Sequence, residues 1–406
     1  MLRGKKKVFI FCNGCSRRSL DTSRLTDYFT VNNFNITTYP ERADYIIFVT
    51  CALIYKEEQS FELIEKFSGC KGELIVMGCL PDMSHTPLRE KFKGRFIETR
   101  NLNTIDAIFP NFKVKFSSIS DGHILGDYFL NFNMKRNTFL RFFSHFALRK
   151  EFFSKCVRFF RKKLKKVQEI NKETQEAYLR ISNGCLERCA YCSIWKAVGE
   201  FRSKGIEECV SEYKELLQKG HRFIVFIADN LGPYGLDIGT DFRSLIEKLS
   251  VVDNGLHVRW RFEEMHPRWV IKYKDTLSRL IIEGKLTEMI CGIQSGSNRM
   301  LKLMNRHHAI EEIIEALASF KKINPAFKLY TQVIVGFPSE TEDDLFETIE
   351  ALKKLRFESV YIFPYCDGVG SSASTMSDKI SESIITERVN KAKVLLEKAG
   401  ITIKFY

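Results

Sequence analysis

Between residues 177 and 365, six short β-type runs recur, each followed by a helical pattern. They are Ala177–Ser182, Phe223–Ala228, His257–Glu263, Met289–Gln294, Leu329–Gly336 and Val360–Tyr365. Strands joined through helices pair in parallel, because an antiparallel neighbour needs only a tight turn. Six consecutive βα units predict a partial (β/α)6 barrel with ligands at the C-terminal ends of its strands. A shorter alternation precedes it, with strands at Lys7–Phe11, Tyr45–Thr50, Glu73–Gly78 and Arg95–Glu98. Helical stretches follow at about Asp21–Thr30, Ile54–Phe67, Pro87–Phe92 and Thr104–Phe109. This predicts an open parallel sheet with helices on its faces, so the whole chain is expected to be α/β.

The segment between the two alternations is different. No Gly or Pro occurs between Gly126 and Gly184, and Phe139, Phe142, Phe143, Phe146, Phe153, Val157, Phe160 and Leu164 recur near helical spacing. From Phe132 to Lys172 there are thirteen Lys or Arg against two acids, so this stretch supplies +11 of the net charge of +13. One or two basic amphipathic helices are expected there. The predicted division is an N-terminal α/β domain over 1–110, a basic Phe-rich helical insertion over 111–174, and a partial barrel over 175–406.

No apolar run approaches the roughly 18 residues of a membrane span. The run Val8–Phe11 behind the basic N-terminus is too short for a signal-peptide core. A cytoplasmic location is therefore expected, where the twelve cysteines should not form structural disulfides. Cys70, Cys156, Cys209, Cys291 and Cys366 read as small buried hydrophobes. The others do not.

Cys185-Leu-Glu-Arg-Cys189-Ala-Tyr191-Cys192 puts three thiols on a tight loop directly after the first barrel strand. A cubane 4Fe–4S cluster has four irons, so three cysteines leave one iron open for a substrate or cofactor. Zinc is the competing reading, but it usually takes a fourth protein ligand and paired C-x-x-C arms. In the N-terminal region Cys15, Cys51 and Cys79 each follow a predicted strand. Strand ends of an open α/β sheet lie side by side, so three soft ligands could converge on a second cluster. Cys12 is a rival ligand to Cys15, and Cys12-x-x-Cys15 could be a redox pair. No helix is expected to begin directly at that pair.

The cysteine loop, with Tyr191 before its third cysteine, closely resembles that of the radical S-adenosylmethionine (SAM) superfamily. The N-terminal region resembles the first domain of its methylthiotransferases, which carry Gly-Cys-x-x-Asn-x-x-Asp-Ser, Asn-Thr-Cys and Gly-Cys. This chain has Gly14-Cys15, Asp21, Thr50-Cys51 and Gly78-Cys79, with Arg18, Thr22 and Val49 as departures. Similar stretches continue at Gly199-x-x-Arg202-Ser203, Tyr234–Asp237, Gln294–Ser297, Met304–Arg306 and Ile334–Pro338. The resemblance implies SAM and two 4Fe–4S clusters, one held by Cys185, Cys189 and Cys192, the other by Cys15, Cys51 and Cys79. It implies that a 5′-deoxyadenosyl radical activates a C–H bond and that a methylthio group is inserted there. Tyr191, Gln294, Ser295 and Gly336 are expected near SAM, with Asp229, Arg259 and Glu263 as further rim residues.

Relatives of this kind modify a tRNA adenosine or a ribosomal-protein aspartate, usually with a small C-terminal β-barrel (TRAM-type) domain that this sequence does not show. Ala177–Cys185 and Tyr234–Asp237 resemble the protein-modifying branch, so a peptide or protein substrate is favoured and a tRNA adenosine is the alternative. A different radical SAM enzyme with an auxiliary cluster is a further alternative. The basic segment suits RNA phosphates, an acidic partner or an anionic membrane surface, or is a helical insertion with solvated charges. A flavodoxin or ferredoxin is the expected electron donor.

Overall fold

In the first strand β1 (Lys7–Cys12), Phe9 and Phe11 face one side of a sheet while Val8, Ile10 and Cys12 face the other. This period-two burial is what a sheet covered on both faces requires. The computed structural model describes residues 5–52, 54–125, 175–253 and 255–405. The N-terminal sheet is wholly parallel. Its strands β1, β2 (Asn35–Ile36), β3 (Tyr45–Thr50), β4 (Glu73–Gly78) and β5 (Arg95–Glu98) lie in the order β2-β1-β3-β4-β5. Helix Ser16–Val31 covers one face through Leu25, Tyr28 and Phe29, and helix Ile54–Ser68 covers the other through Leu63, Ile64 and Phe67.

The second sheet is also parallel and holds seven strands. They are β6 (Glu176–Arg180), β9 (Phe223–Ile227), β10 (Arg259–Phe262), β11 (Leu286–Ile290), β12 (Lys328–Val335), β13 (Ser359–Pro364) and β14 (Ile403–Lys404). Strands β6 and β14 stand at opposite edges and do not pair, so the barrel is partial. A small antiparallel pair, β7 (Ser182–Asn183) and β8 (Arg202–Ser203), brackets the cysteine loop. Leu179, Phe226, Trp260, Phe262, Met289 and Leu329 pack against the surrounding helices. The alternate residues line the concave side, where Arg261 pairs with Glu176 at 2.6 Å and Glu263 at 3.1 Å.

Several expectations shift. The first helix begins at Ser16, five residues earlier than predicted and directly after the Cys12/Cys15 pair, because Cys15 is its N-cap. Strand β11 starts at Leu286 rather than Met289 and leaves the ladder after Ile290; the chain rejoins it through a single bridge, Gln294 to Val333. The two-residue strands β2 and β14 were not anticipated. Phe112, Phe116 and Ile119, at the start of the expected insertion, pack against Tyr28 and Phe29. The helices expected within 132–172, and Cys156, lie outside the described residues. Of the other cysteines read as buried, Cys209 and Cys291 are buried, Cys70 is half-buried and Cys366 is exposed. Among the described residues no helix is long and apolar enough to cross a membrane.

Candidate functional site

Strands β1, β3 and β4 are neighbours, and Cys15, Cys51 and Cys79 follow their C-terminal ends. Asn13 fixes the second of these positions. Its Oδ1 accepts the Cys51 N–H at 2.9 Å, and its Nδ2 donates to Ser60 Oγ at 2.9 Å. Gly78 precedes Cys79 with φ +103°, and a Cβ there would stand 2.4 Å from the Thr50 carbonyl oxygen. Only glycine permits this approach of β4 to β3. Burial pushes the Cys79 thiol up to about 12, the nearby Arg18 lowers it, and Cys15 and Cys51 raise it further. Cys15 and Cys51 thus both lie close enough to Cys79 for their charges to act on it. Arg18 is itself buried, its Nη1 paired with Asp21 Oδ2 at 3.0 Å. Cys12 is buried among the helix-facing residues of β1, and burial raises its thiol far above the ordinary range. That is the opposite of the activated thiol a redox pair needs.

The barrel loop is anchored from several elements. Gly184, at φ +82°, donates its N–H to Asp229 Oδ2 at 2.8 Å, just past β9. The Ala190 N–H donates to the Met304 carbonyl at 2.9 Å, and the Ala190 carbonyl accepts from Ala373 at 2.8 Å. Glu187 accepts from Trp269 Nε1 at 2.9 Å and pairs with Arg268 at 2.9 Å. Behind the loop lies Arg306, 5% exposed. Its Nη1 is 3.6 Å from Cys189 Sγ and donates to the Tyr191 hydroxyl at 2.9 Å, while its Nε has no partner. Burial pushes Cys185 up to about 12 and Cys192 up to about 11.

The two trios face each other. Helix Ile194–Val198, just after Cys192, packs against helix Leu80–Met83, just after Cys79. Arg17 crosses the gap from the N-terminal sheet. Its Nε pairs with Asp229 at 3.1 Å, its Nη1 donates to the Ala228 carbonyl at 3.2 Å, and its charge acts on both Cys15 and Cys192. Arg180, at the end of β6, donates to the Arg17 carbonyl at 2.9 Å and to Asp21 at 2.9 Å.

The remaining predicted residues divide. Asp229 and Glu263 lie at the barrel mouth, where their charges act on Arg17. Gln294 is nearly buried at φ +67°, and its Oε1 has no partner, as a ligand-facing amide would be left. Tyr191 packs on Ile334, Phe337 and Met304 beside Cys189. Ser295 is held in a turn, with its Oγ 3.2 Å from Thr348 Oγ1 and accepting the Ser297 N–H at 3.1 Å. Gly336 is glycine because a Cβ would meet Ile385 at 2.4 Å, and its N–H is taken by Glu340 at 2.8 Å. Arg259 is corrected outright. It opens β10, paired in register with Phe223, so it lies at the end of the barrel remote from the cysteines.

Three thiols are soft ligands of the kind an iron–sulfur cluster takes, and among the described residues no three His, Cys, Asp or Glu close around one point. A cubane spreads three sulfurs over three irons. Three thiolates on a cubane also leave a net negative charge, and a buried arginine stands beside each trio: Arg18 near Cys79 and Cys15, and Arg306, whose Nε has no partner, near Cys189. Arg17, Arg180 and Arg306 were missed as functional groups. The Met304-Asn305-Arg306 stretch after the fourth barrel strand carried a signal for one of them.

These features define an α/β radical enzyme fold with two sulfur-rich sites at one mouth. The chain matches the radical SAM superfamily over residues 179–352 and the uncharacterized protein family UPF0004 over residues 7–97. It is 28% identical over 415 residues to a tRNA-2-methylthio-N(6)-dimethylallyladenosine synthase of Thermodesulfovibrio yellowstonii, covering 95% of this chain and 85% of that one. A synthase of the same name from Clostridium botulinum (strain Loch Maree / Type A3) is 28% identical over 400 residues, covering 95% and 80%. Among solved structures, the cobalamin-bound radical SAM methyltransferase TsrM of Kitasatospora setae aligns with a TM-score of 0.60 at 10% identity, covering 91% of this chain and 77% of that one. That likeness shows the fold. The chain belongs to the radical SAM methylthiotransferases, whose cofactors are SAM and 4Fe–4S clusters.

Proposed function

We propose that this methylthiotransferase acts on a tRNA adenosine, and that Cys185, Cys189 and Cys192 hold the SAM-cleaving cluster while Cys15, Cys51 and Cys79 hold the auxiliary one. The observation that carries the substrate reading is the near full-length similarity to relatives named as tRNA-2-methylthio-N(6)-dimethylallyladenosine synthases. The relatives reported above do not carry the peptide preference. Part of its basis is structural, since Tyr234 is buried with its hydroxyl donating to the Lys204 carbonyl at 2.7 Å.

When bound, the clusters and SAM supply reductive C–S cleavage, hydrogen abstraction and a methylated sulfur for transfer. The chain's residues do the rest. Arg306 and Arg18 offset the negative charge of each sulfur-rich site. Arg17 braces the two sheets at the gap, and Gln294 keeps an unpartnered Oε1 at its bridge to Val333. Packing of Ile194–Val198 on Leu80–Met83 closes one flank against water. We take a flavodoxin or ferredoxin as the reductant.

The test is anaerobic reconstitution and turnover with an anticodon stem-loop carrying N6-dimethylallyladenosine. A methylthio nucleoside should form together with 5′-deoxyadenosine and S-adenosylhomocysteine, from protein holding about eight irons per chain. Cys189→Ala should retain about four irons and lose SAM cleavage. Wild-type protein that cleaves SAM yet leaves the RNA unmodified overturns the substrate assignment.

A further inference from the structure

A crevice of about 390 Å³ opens between the two sheets, lined by Asp82 and Arg100 on one side and by Arg188, Trp195, Lys196, Gly199 and Glu200 on the other. Its volume lies in the ~300–1,000 Å³ range of small-ligand sites. It adjoins the cysteine loop, since Arg188 lies between Cys185 and Cys189 and Trp195 is three residues past Cys192. Of the three tryptophans, Trp260 and Trp269 are buried, at 0% and 5% exposure, whereas Trp195 is 37% exposed. The Arg188 guanidinium lies 5.5 Å and the Lys196 ammonium 5.7 Å from the Trp195 ring centre. Arg100 is already neutralised by Asp82 at 3.0 Å and Glu98 at 3.1 Å. Among the described residues, Arg188 and Lys196 form no ion pair; Arg188 Nη1 donates only to the carbonyls of Cys185 and Glu187.

An indole presented at a crevice with two uncompensated cations suits a π-face joined to an anion, which is the chemistry of a nucleotide. A base drawn between the cysteine trios must leave its stack, at a cost of a few kcal/mol, and its chain neighbours are pulled to the rim with it. A new stacking partner at the rim offsets that loss.

We propose that Trp195, with Arg188 and Lys196, forms a stacking subsite for an unpaired nucleotide flanking the one that is modified. This rests on the RNA reading above and names a contact that reading does not require. Trp195 grips the base, and the two cations hold its phosphate.

Binding of a fluorescently labelled anticodon stem-loop to the reconstituted full chain, followed by anisotropy, tests it. Trp195→Ala should weaken binding about 5- to 100-fold, as loss of one base–aromatic stack does, and Trp195→Phe should recover most of it. The logarithmic salt slope should stay unchanged in Trp195→Ala and fall by about one in Lys196→Gln, because only the latter removes a phosphate contact. In wild-type protein, saturating RNA should protect Trp195 from oxidation by N-bromosuccinimide, read by mass spectrometry, a measurement that needs no variant. Equal affinity of Trp195→Ala, or unprotected Trp195, overturns the subsite while RNA modification stands. Wild-type protein that neither binds nor modifies the RNA overturns the RNA reading itself.

Discussion

Arg18 stands where the resembled motif has Asn, and the structure buries it beside Cys79 and Cys15 with only Asp21 as a carboxylate partner. A buried cation favours the more negative state of any redox group next to it. Arg18→Asn should therefore shift the midpoint potential of the N-terminal cluster in the negative direction, as followed by an EPR-monitored titration, with iron content unchanged. Arg17 acts differently, because its guanidinium touches the barrel. Arg17→Met should raise the yield of 5′-deoxyadenosine per methylthio nucleoside several-fold, and Arg17→Lys should restore part of the coupling; an unchanged ratio would show that Arg17 is only a surface brace. The six cysteines stand out in the sequence because three follow separate strand ends and three share one loop after the first barrel strand, where ligands are expected to gather. The arginines were not, because an arginine's role depends on partners the sequence does not reveal: Arg180 and Asp21 are 159 residues apart. Ser295 and Gly336 show the converse. Both sit beside the right strands, yet their neighbours are Thr348 and Ile385 of the enclosing helices.

Among elements, those with a strong period were readable to the residue. Strands β3 and β4 fall on the predicted bounds because their apolar runs are continuous, and β5 does so with only Phe96 and Ile97 between its charged ends. Two-residue strands such as β2 and β14 have no period to detect. The first helix was placed late because its N-cap is a cysteine, which gives none of the Ser, Thr, Asp or Asn signals that mark a helix start. The β4 end is where an element and a ligand position meet. Gly78→Ala adds a Cβ against the Thr50 carbonyl and forces a non-glycine residue to φ +103°. The dihedral alone costs about 1–3 kcal/mol. The variant should unfold at lower denaturant, and its N-terminal site should retain less iron, the barrel site being unaffected.

Across the whole molecule, the two sheets are joined by a buried charge network. Asp121 lies among Arg180, Lys204 and Arg24, at 3.8, 3.0 and 3.5 Å. Burial alone would raise its pKa, but these three cations hold it well below the ordinary 3.8. A depressed carboxylate stabilises the fold fully above its unfolded pKa and loses that contribution as the pH falls through the folded one. Acid stability should therefore decline below about pH 4, and Asp121→Asn should remove that part of the pH dependence. At neutral pH the same variant removes one shared partner from three cations, of which Arg180 keeps Asp21 and Lys204 keeps Glu212, and should cost about 1–3 kcal/mol, read by chemical denaturation. Asp121 itself falls within the predicted insertion, whose stretch 132–172 supplies +11 of the net +13. Removing 132–172 should flatten the salt dependence of tRNA affinity, measured at two ionic strengths.

Asp229 spends one oxygen on the first residue of the cysteine loop and the other on Arg17 of the opposing sheet. A single carboxylate therefore ties tension in the loop to the posture of the two halves, and by reciprocity each must sense the other. Were the halves to swing apart, the loop would slacken at its root, and metal would be shed from the barrel side first.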